Sequence, residues 1–132
     1  MNLEGALAII KADLDHQQSL MDASIRLTNY VYAHHRDIKH LSYSRIAQII
    51  DTVDPETLLG VTQYCSGNRL SILKMKFELI IDNYPFELED EDVFFAEENK
   101  YLIHPETGNP IQSYEEHVYP FFVPGDSVTH NE

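Results

Sequence analysis

Residues 42–66 read SYSRIAQIIDTVDPETLLGVTQYCS and contain two helix-start signals separated by a short turn. Ser42 is a good N-cap, and the apolar residues behind it predict a short helix over 43–51. Asp54 repeats the signal, because a proline at the first helical position and an acid in the first turn follow it. The sequence Ser-Gly-Asn stops this second helix, which we predict over 55–66.

The N-terminal segment carries an apolar stripe whose members are spaced by four, three and four residues, as on one face of a helix. A second helical stretch follows at about 20–35. The stripe predicts burial, either against the rest of the domain or against its twin in a homodimer. Its members are Leu3, Leu7, Ile10 and Leu14.

Residues 70–81 fit two periodicities. Apolar residues recur at every second position from Leu73 to Ile81, and some of them also fit one face of a helix. We favour a strand, because a helix has just been stopped. The acidic run 87–92 predicts a solvated loop or a helix start, and residues 101–111 predict a β-hairpin around a Pro-Glu-Thr-Gly turn.

This order of elements predicts an α+β fold, with N-terminal helices, two short helices joined by a turn, and a β-hairpin. We predict a single domain over 1–124 that includes a helical extension at 1–21. The polar segment 125–132 predicts a disordered tail.

Two short helices with a turn, followed by a long strand and a hairpin, resemble a winged helix-turn-helix domain over about residues 22–112. The resemblance rests on the element order and on the Ile46-Ala47 pair, and Asp51 departs from it by standing where a Gly is usual. It implies a small winged-helix-like domain whose second helix of the pair enters the major groove of DNA, while the wing lies along the DNA backbone. The residues available for such contacts are Arg45, Thr62, Gln63, Arg69, Lys74 and Lys76.

The net charge of −13 is unevenly spread. Residues 1–81 hold nine acids and eight bases, whereas residues 82–132 hold thirteen acids and one base, Lys100. The loop 82–92, which is the candidate wing, carries six acids and no base. Because contacts from Lys and Arg to phosphates supply most non-specific affinity for DNA, the C-terminal half should repel nucleic acid.

No motif for catalysis, a cofactor or a metal stands out. His34, His35 and His40 lie near Asp37, but their spacing matches no standard zinc pattern. The single cysteine, Cys65, lies in an apolar helical stretch and predicts a buried structural thiol. No apolar run approaches the ~20 residues of a membrane span, and the N-terminus lacks signal-peptide features, so we expect a cytoplasmic protein without membrane contact.

We therefore expect a non-enzymatic protein that binds a protein partner with a basic surface. It would act as an adaptor, an inhibitor or an immunity-type protein, and its acids would be able to mimic nucleic-acid phosphates. Aromatic groups rimmed by charge are a common composition for such a binding surface. The alternative is a DNA-binding transcriptional regulator that dimerises through its N-terminal helix. The predicted partner-binding residues are Tyr84, Phe86, Glu87, Glu89, Asp90, Glu91, Asp92 and Phe94.

Overall fold

Four helices precede the first strand, and the mixture of helices and an antiparallel sheet confirms the predicted α+β class. The computed structural model describes residues 1–130. The order of elements is compatible with a small winged-helix-like domain. The helices are α1 (Leu3–Asp13), α2 (Gln18–His34), α3 (Tyr43–Ile50), α4 (Pro55–Ser66), α5 (Asp90–Asn99) and α6 (Asp126–Thr129). The strands are β1 (Leu73–Ile81), β2 (Tyr84–Leu88), β3 (Leu102–Ile103), β4 (Pro110–Ile111) and β5 (Val118–Pro124), and a 3₁₀ turn spans Tyr114–Glu116.

Both predicted N-caps begin their helices. The Ser42 hydroxyl accepts a hydrogen bond from the backbone N–H of Arg45 at 3.1 Å. The Asp54 carboxylate accepts from the backbone N–H groups of Glu56 and Thr57, at 3.4 and 3.3 Å. These bonds satisfy donors that have no partner within the helix, so the predicted bounds of α4 are confirmed and those of α3 are confirmed to within one residue.

The turn between α3 and α4 begins at Asp51, whose backbone is left-handed with φ 55° and ψ 53°. Glycine adopts this conformation without steric cost, and aspartate is one of the few other residues that tolerate it. The Asp51 N–H donates to the carbonyl groups of Ala47 and Gln48, which ends α3. The residue that departs from the winged-helix pattern thus makes the chain reversal for which glycine is usual.

The chain divides into two compact units within the residues that we predicted as one domain. Unit 1 consists of Met1–Met75 together with the chain from Phe122 onward, and unit 2 is Lys76–Phe121. Strands β1 and β5 each run from one unit into the other. Each unit has its own hydrophobic core.

Helix α2 contacts three other helices of unit 1, namely α1, α3 and α4. Its inward face carries Leu27 and Val31, which are fully buried. Helix α1, which the sequence set apart as an extension, adds Ile10 to the same core, Leu14 just after the helix joins it, and Leu7 packs against it. The apolar stripe therefore packs within unit 1 at these three residues, as the first of the two predicted alternatives requires, while Leu3 is half-buried.

Residues 125–130 belong to the fold of unit 1, so the prediction of a disordered tail from residue 125 is wrong for them. The backbone N–H of Gly125 donates to the carbonyl of Ile72 at 2.7 Å, and α6 follows. Val128 on α6 is buried in the core, and this apolar burial offsets the conformational entropy that the polar segment loses when it is ordered. A Cβ atom at Gly125 would collide with the backbone of Ser71, so this close approach requires glycine. Residues 131–132 lie outside the described residues.

A β-hairpin opens unit 2, because β1 and β2 pair in antiparallel orientation. The preference for a strand in the ambiguous stretch is thus confirmed. Asp82 and Asn83 have φ values of 53° and 64°, as the two central residues of a type I′ turn require. The sheet has the order β2-β1-β5, and the backbone N–H of Ile80 donates to the carbonyl of His117 at 2.8 Å.

The predicted wing loop at 82–92 is not a loop, since residues 84–88 form β2 and the acids from Asp90 onward begin α5. The alternating residues of β2 extend the hairpin, and the acids favour a helix start. The predicted hairpin at 101–111 is confirmed, with Leu102 of β3 opposite Ile111 of β4. The core of unit 2 consists of Leu79, Leu88, Ala96 and Leu102.

Candidate protein-binding surface

Most of the negative charge of the chain belongs to unit 2. This segment of the sequence holds twelve acids and two bases, a net charge of −10 out of −13. The remainder of the chain holds ten acids and seven bases, a net charge of −3. The sequence located the charge asymmetry, and the structure assigns it to one compact unit with its own core.

Part of the acidic run begins a helix. Glu89 and Asp92 form a capping box at the start of α5, in which the backbone N–H of Glu89 donates to the Asp92 carboxylate at 2.9 Å. Asp90 and Glu91 lie in the first turn, where the positive end of the helix dipole stabilises negative charge. These four acids therefore stabilise the start of α5, and the side chains of Glu89 and Asp92 are already occupied by the capping box.

The outward side of α5 combines acids with an exposed aromatic ring. Residues spaced by three and four along a helix share a face. We call this set the acidic helix face, and at its centre Phe94 leaves 67% of its surface exposed. Helix propensity does not explain the acids in the last turn, because negative charge is unfavourable at the C-terminal end of a helix dipole. The acidic helix face consists of Asp90, Glu91, Phe94, Glu97 and Glu98.

Aromatic rings at the end of the hairpin form a short stack. The rings of Tyr84 and Phe86 lie 5.0 Å apart, and that of Phe86 lies 4.4 Å from His104. The Nδ1 atom of His104 accepts from the backbone N–H groups of Glu106 and Thr107, at 3.1 and 3.3 Å, which fixes the imidazole. Tyr84 is 63% exposed and stands at the free end of the stack.

Seven of the eight predicted partner-binding residues thus fall into two groups, the aromatic stack and α5 with its N-cap. Glu87 stands apart from both, because it forms an ion pair with Lys76 at 3.0 Å. The sequence prediction missed Glu97 and Glu98, although their spacing from Phe94 was a readable helical signal. It also missed His104, for which the sequence carried no such signal, because the contact with Phe86 depends on the packing of two hairpins.

The residues predicted for DNA contact are largely engaged within the chain. Counting along α4 also predicted Thr62 on its outward side, and this is wrong, because Thr62 is 1% exposed. Arg69 donates two hydrogen bonds to Asp13, at 2.6 and 2.8 Å, and Tyr64 donates a third at 2.8 Å. The bonds from Arg69, and then that from Tyr64, hold the pKa of Asp13 below its ordinary value, so the acid stays ionised beside the guanidinium.

The other predicted DNA contacts divide between paired and exposed side chains. Arg45 donates to Tyr30 at 3.1 Å and to Gln48 at 3.2 Å, and its guanidinium lies over the Tyr30 ring. Gln63 and Lys74 are exposed. Lys76 lies in unit 2, where Glu87 neutralises it. This set therefore offers phosphate less positive charge than its sequence suggested.

The side chains that were weighed for chemistry belong to unit 1. Cys65 is buried, as predicted, and burial raises the pKa of its thiol to about 12, which keeps it protonated. Within residues 1–130, no three His, Cys, Asp or Glu side chains are placed to hold a metal ion. None of the helices in that range is long and apolar enough to cross a membrane.

Neither a protein-family model nor a curated protein nor a solved structure matches this chain.

Proposed function

We propose that this chain is a non-enzymatic protein-binding protein, an adaptor, inhibitor or immunity-type protein, that docks unit 2 onto the basic surface of a partner protein. The observation that carries the proposal is the acidic helix face, where an exposed Phe94 is surrounded by four acids. A large aromatic side chain that is exposed leaves apolar surface in water. Removing that surface from water is favourable when a partner covers it.

Charge and apolar surface have separate roles in such docking. The net charge of −10 on unit 2 attracts a basic partner from a distance, which raises the rate of association. Phe94 and Tyr84 supply the apolar contact that holds the complex, as aromatic anchors do at the centre of many interfaces. A partner that itself binds nucleic acid would meet carboxylates in place of phosphates.

Winged-helix DNA binding is the alternative proposal, and the α3–α4 pair supports it. Leu41, just before α3, also exchanges two backbone hydrogen bonds of 2.8 Å with Phe122, which forms an isolated antiparallel bridge to β5 within unit 1. However, the outward side of α4 presents Glu56, Leu59 and Gln63, and contains no base. This side of α4 therefore offers phosphates no cationic contact.

Selection of a random-peptide library against the full chain tests the proposal. We expect the enriched peptides to combine several Lys or Arg residues with an apolar residue, because the surface offers both kinds of contact. Phe94→Ala should weaken their binding. Leu59→Ala, which removes an exposed apolar side chain from unit 1, is the matched control and should leave binding unchanged.

Enriched peptides without net positive charge would contradict the proposal, and so would peptides that bind Phe94→Ala as tightly as the original chain. A parallel titration with random duplex DNA at low salt separates the two proposals. We expect no binding of the duplex. Tight binding that weakens steeply with added salt would instead support the DNA-binding alternative.

A further inference from the structure

A partly open, mainly apolar cavity of about 150 Å³ lies in unit 2 between α5 and the neighbouring strands. An apolar cavity of about this volume in another protein takes up benzene. The side chains around an empty apolar cavity lack contacts on one side, so an apolar group of the right size gains dispersion contacts by entering. The apolar lining residues are Phe77, Leu88, Val93, Ala96, Leu102 and Val118.

Two polar side chains complete the wall, and both bear on what the cavity accepts. The hydroxyl of Tyr114 donates to the carbonyl of Ala96 at 3.3 Å, which holds the ring against α5. Burial, followed by the nearby charges of Glu115 and Glu97, raises the pKa of Tyr114, so its hydroxyl remains a donor at neutral pH. Glu97 also belongs to the acidic helix face and is exposed.

We infer that this cavity receives one leucine-sized aliphatic side chain of the basic partner, while a Lys or Arg next to that side chain meets Glu97. The inference rests on the proposed function and adds the chemistry of the anchor. An apolar wall selects the aliphatic group, and the acids at the opening select its cationic neighbour. The net charge of −10 on the same unit disfavours an anionic ligand such as a fatty acid or a phospholipid headgroup.

Nuclear magnetic resonance titrations of the full chain test this with blocked peptides of sequence Lys-Leu-Lys and Lys-Gly-Lys, and with benzene. Benzene and Lys-Leu-Lys should shift the signals of Leu88, Ala96 and Leu102, whereas Lys-Gly-Lys should not. Full burial of a leucine side chain is worth about ten- to a hundredfold in affinity, and we expect Lys-Leu-Lys to bind more tightly than Lys-Gly-Lys by such a factor.

Two substitutions examine the cavity and its charged edge separately. Ala96→Leu fills the cavity and should abolish the preference for Lys-Leu-Lys over Lys-Gly-Lys. Ala33→Leu, which adds the same group at an exposed position of α2, should preserve that preference. Glu97→Gln should reduce the preference for Lys-Leu-Lys over Gly-Leu-Gly, because it removes the charge that meets the cation.

Equal affinities of the original chain for Lys-Leu-Lys and Lys-Gly-Lys would overturn the inference, even if benzene enters the cavity, and this comparison does not depend on a variant that folds. If both peptides bind with strong salt dependence, and binding weakens in Phe94→Ala, the proposed function stands without the cavity. If neither peptide binds, both the inference and the proposed function are contradicted.

Discussion

Glu97 and Glu98 lie in the last turn of α5, where a negative charge opposes the helix dipole. Replacing both residues with Gln should therefore raise the free energy of unfolding. Each removed charge is worth about 0.3–1 kcal/mol at an exposed helix end, so the double variant should gain about 0.6–2 kcal/mol. The same variant should bind lysine-rich peptides more weakly, because it loses two acids of the acidic helix face.

A matched variant replaces Asp90 with Asn and Glu91 with Gln, in the first turn of the same helix. It also removes two acids, but there the dipole stabilises negative charge, so the variant should lose stability by a similar amount. The relief of self-repulsion within unit 2 is common to both variants. The difference between them therefore isolates the effect of the helix ends, and we expect about 1–4 kcal/mol in favour of the last-turn variant.

Urea unfolding at low salt measures this difference, followed by far-ultraviolet circular dichroism and by the fluorescence of the eight tyrosines, since the chain has no tryptophan. Added salt should reduce the difference, because it screens exposed charges. Equal unfolding midpoints for the two variants, or the reverse order, would refute the assignment of these acids to opposite ends of α5. Equal loss of peptide binding by both variants would show that the acids act in binding independently of their effect on folding.

Two further predictions concern unit 1. Burial raises the pKa of the Cys65 thiol from 9.0 to about 12, so its contribution to stability is present below pH 9 and is lost as the pH rises from 9 to 12. The loss should be on the order of 1 kcal/mol per pH unit, and urea unfolding of Cys65→Ala under reducing conditions should show a shallower decline of stability with pH. Gly125→Ala should lower the free energy of unfolding by about 1–3 kcal/mol through its collision with the Ser71 backbone. Gly60→Ala is the control, because the added methyl group meets only the flexible end of the Leu20 side chain, and its thermal midpoint should stay the same or rise. Equal losses of stability in the two glycine variants would disprove the requirement for glycine at position 125.

The sequence predicted the parts of the fold that local interactions determine. Ser42 and Asp54 each bond to N–H groups two or three residues away, so the starts of α3 and α4 could be read directly. The end of α4 also falls at the predicted Ser-Gly-Asn stop, although Gly67 is extended there and not left-handed. Residues Leu73–Ile81 of the ambiguous stretch form a strand in the structure because the neighbours β2 and β5 pair with it. The alternation of apolar and polar residues in the sequence favoured a strand, but it was also compatible with a helix.

The sequence could not predict what long-range packing determines. Thr62 was placed outward by counting along α4, but the packing of α2 decided which side is buried. Arg69 and Asp13 are 56 positions apart in the chain, and no local pattern links them. Val128 is a single apolar residue in a polar segment, so its place in the core could not be distinguished from a disordered end.

The candidate surface shows the same division. Composition alone located the acids and the aromatic residues around them. The capping pair Glu89 and Asp92 could be identified only once the start of α5 was known. The cavity beside Ala96 could be identified only once the packing of that helix on the strands was known. The structure therefore separates acids that serve folding from acids whose position folding does not explain.

That separation bears on the binding role proposed for unit 2. Acids that serve only solubility are equally effective anywhere on the surface, and at the end of α5 they cost stability. Twelve of the acids instead belong to unit 2, a compact unit with its own core. Its surface places Glu97 and Glu98 beside the exposed Phe94, and Glu97 also lines an apolar cavity. Solubility explains neither an exposed phenylalanine nor a cavity at this place, and the basic partner with an apolar anchor that we propose would make use of all three features.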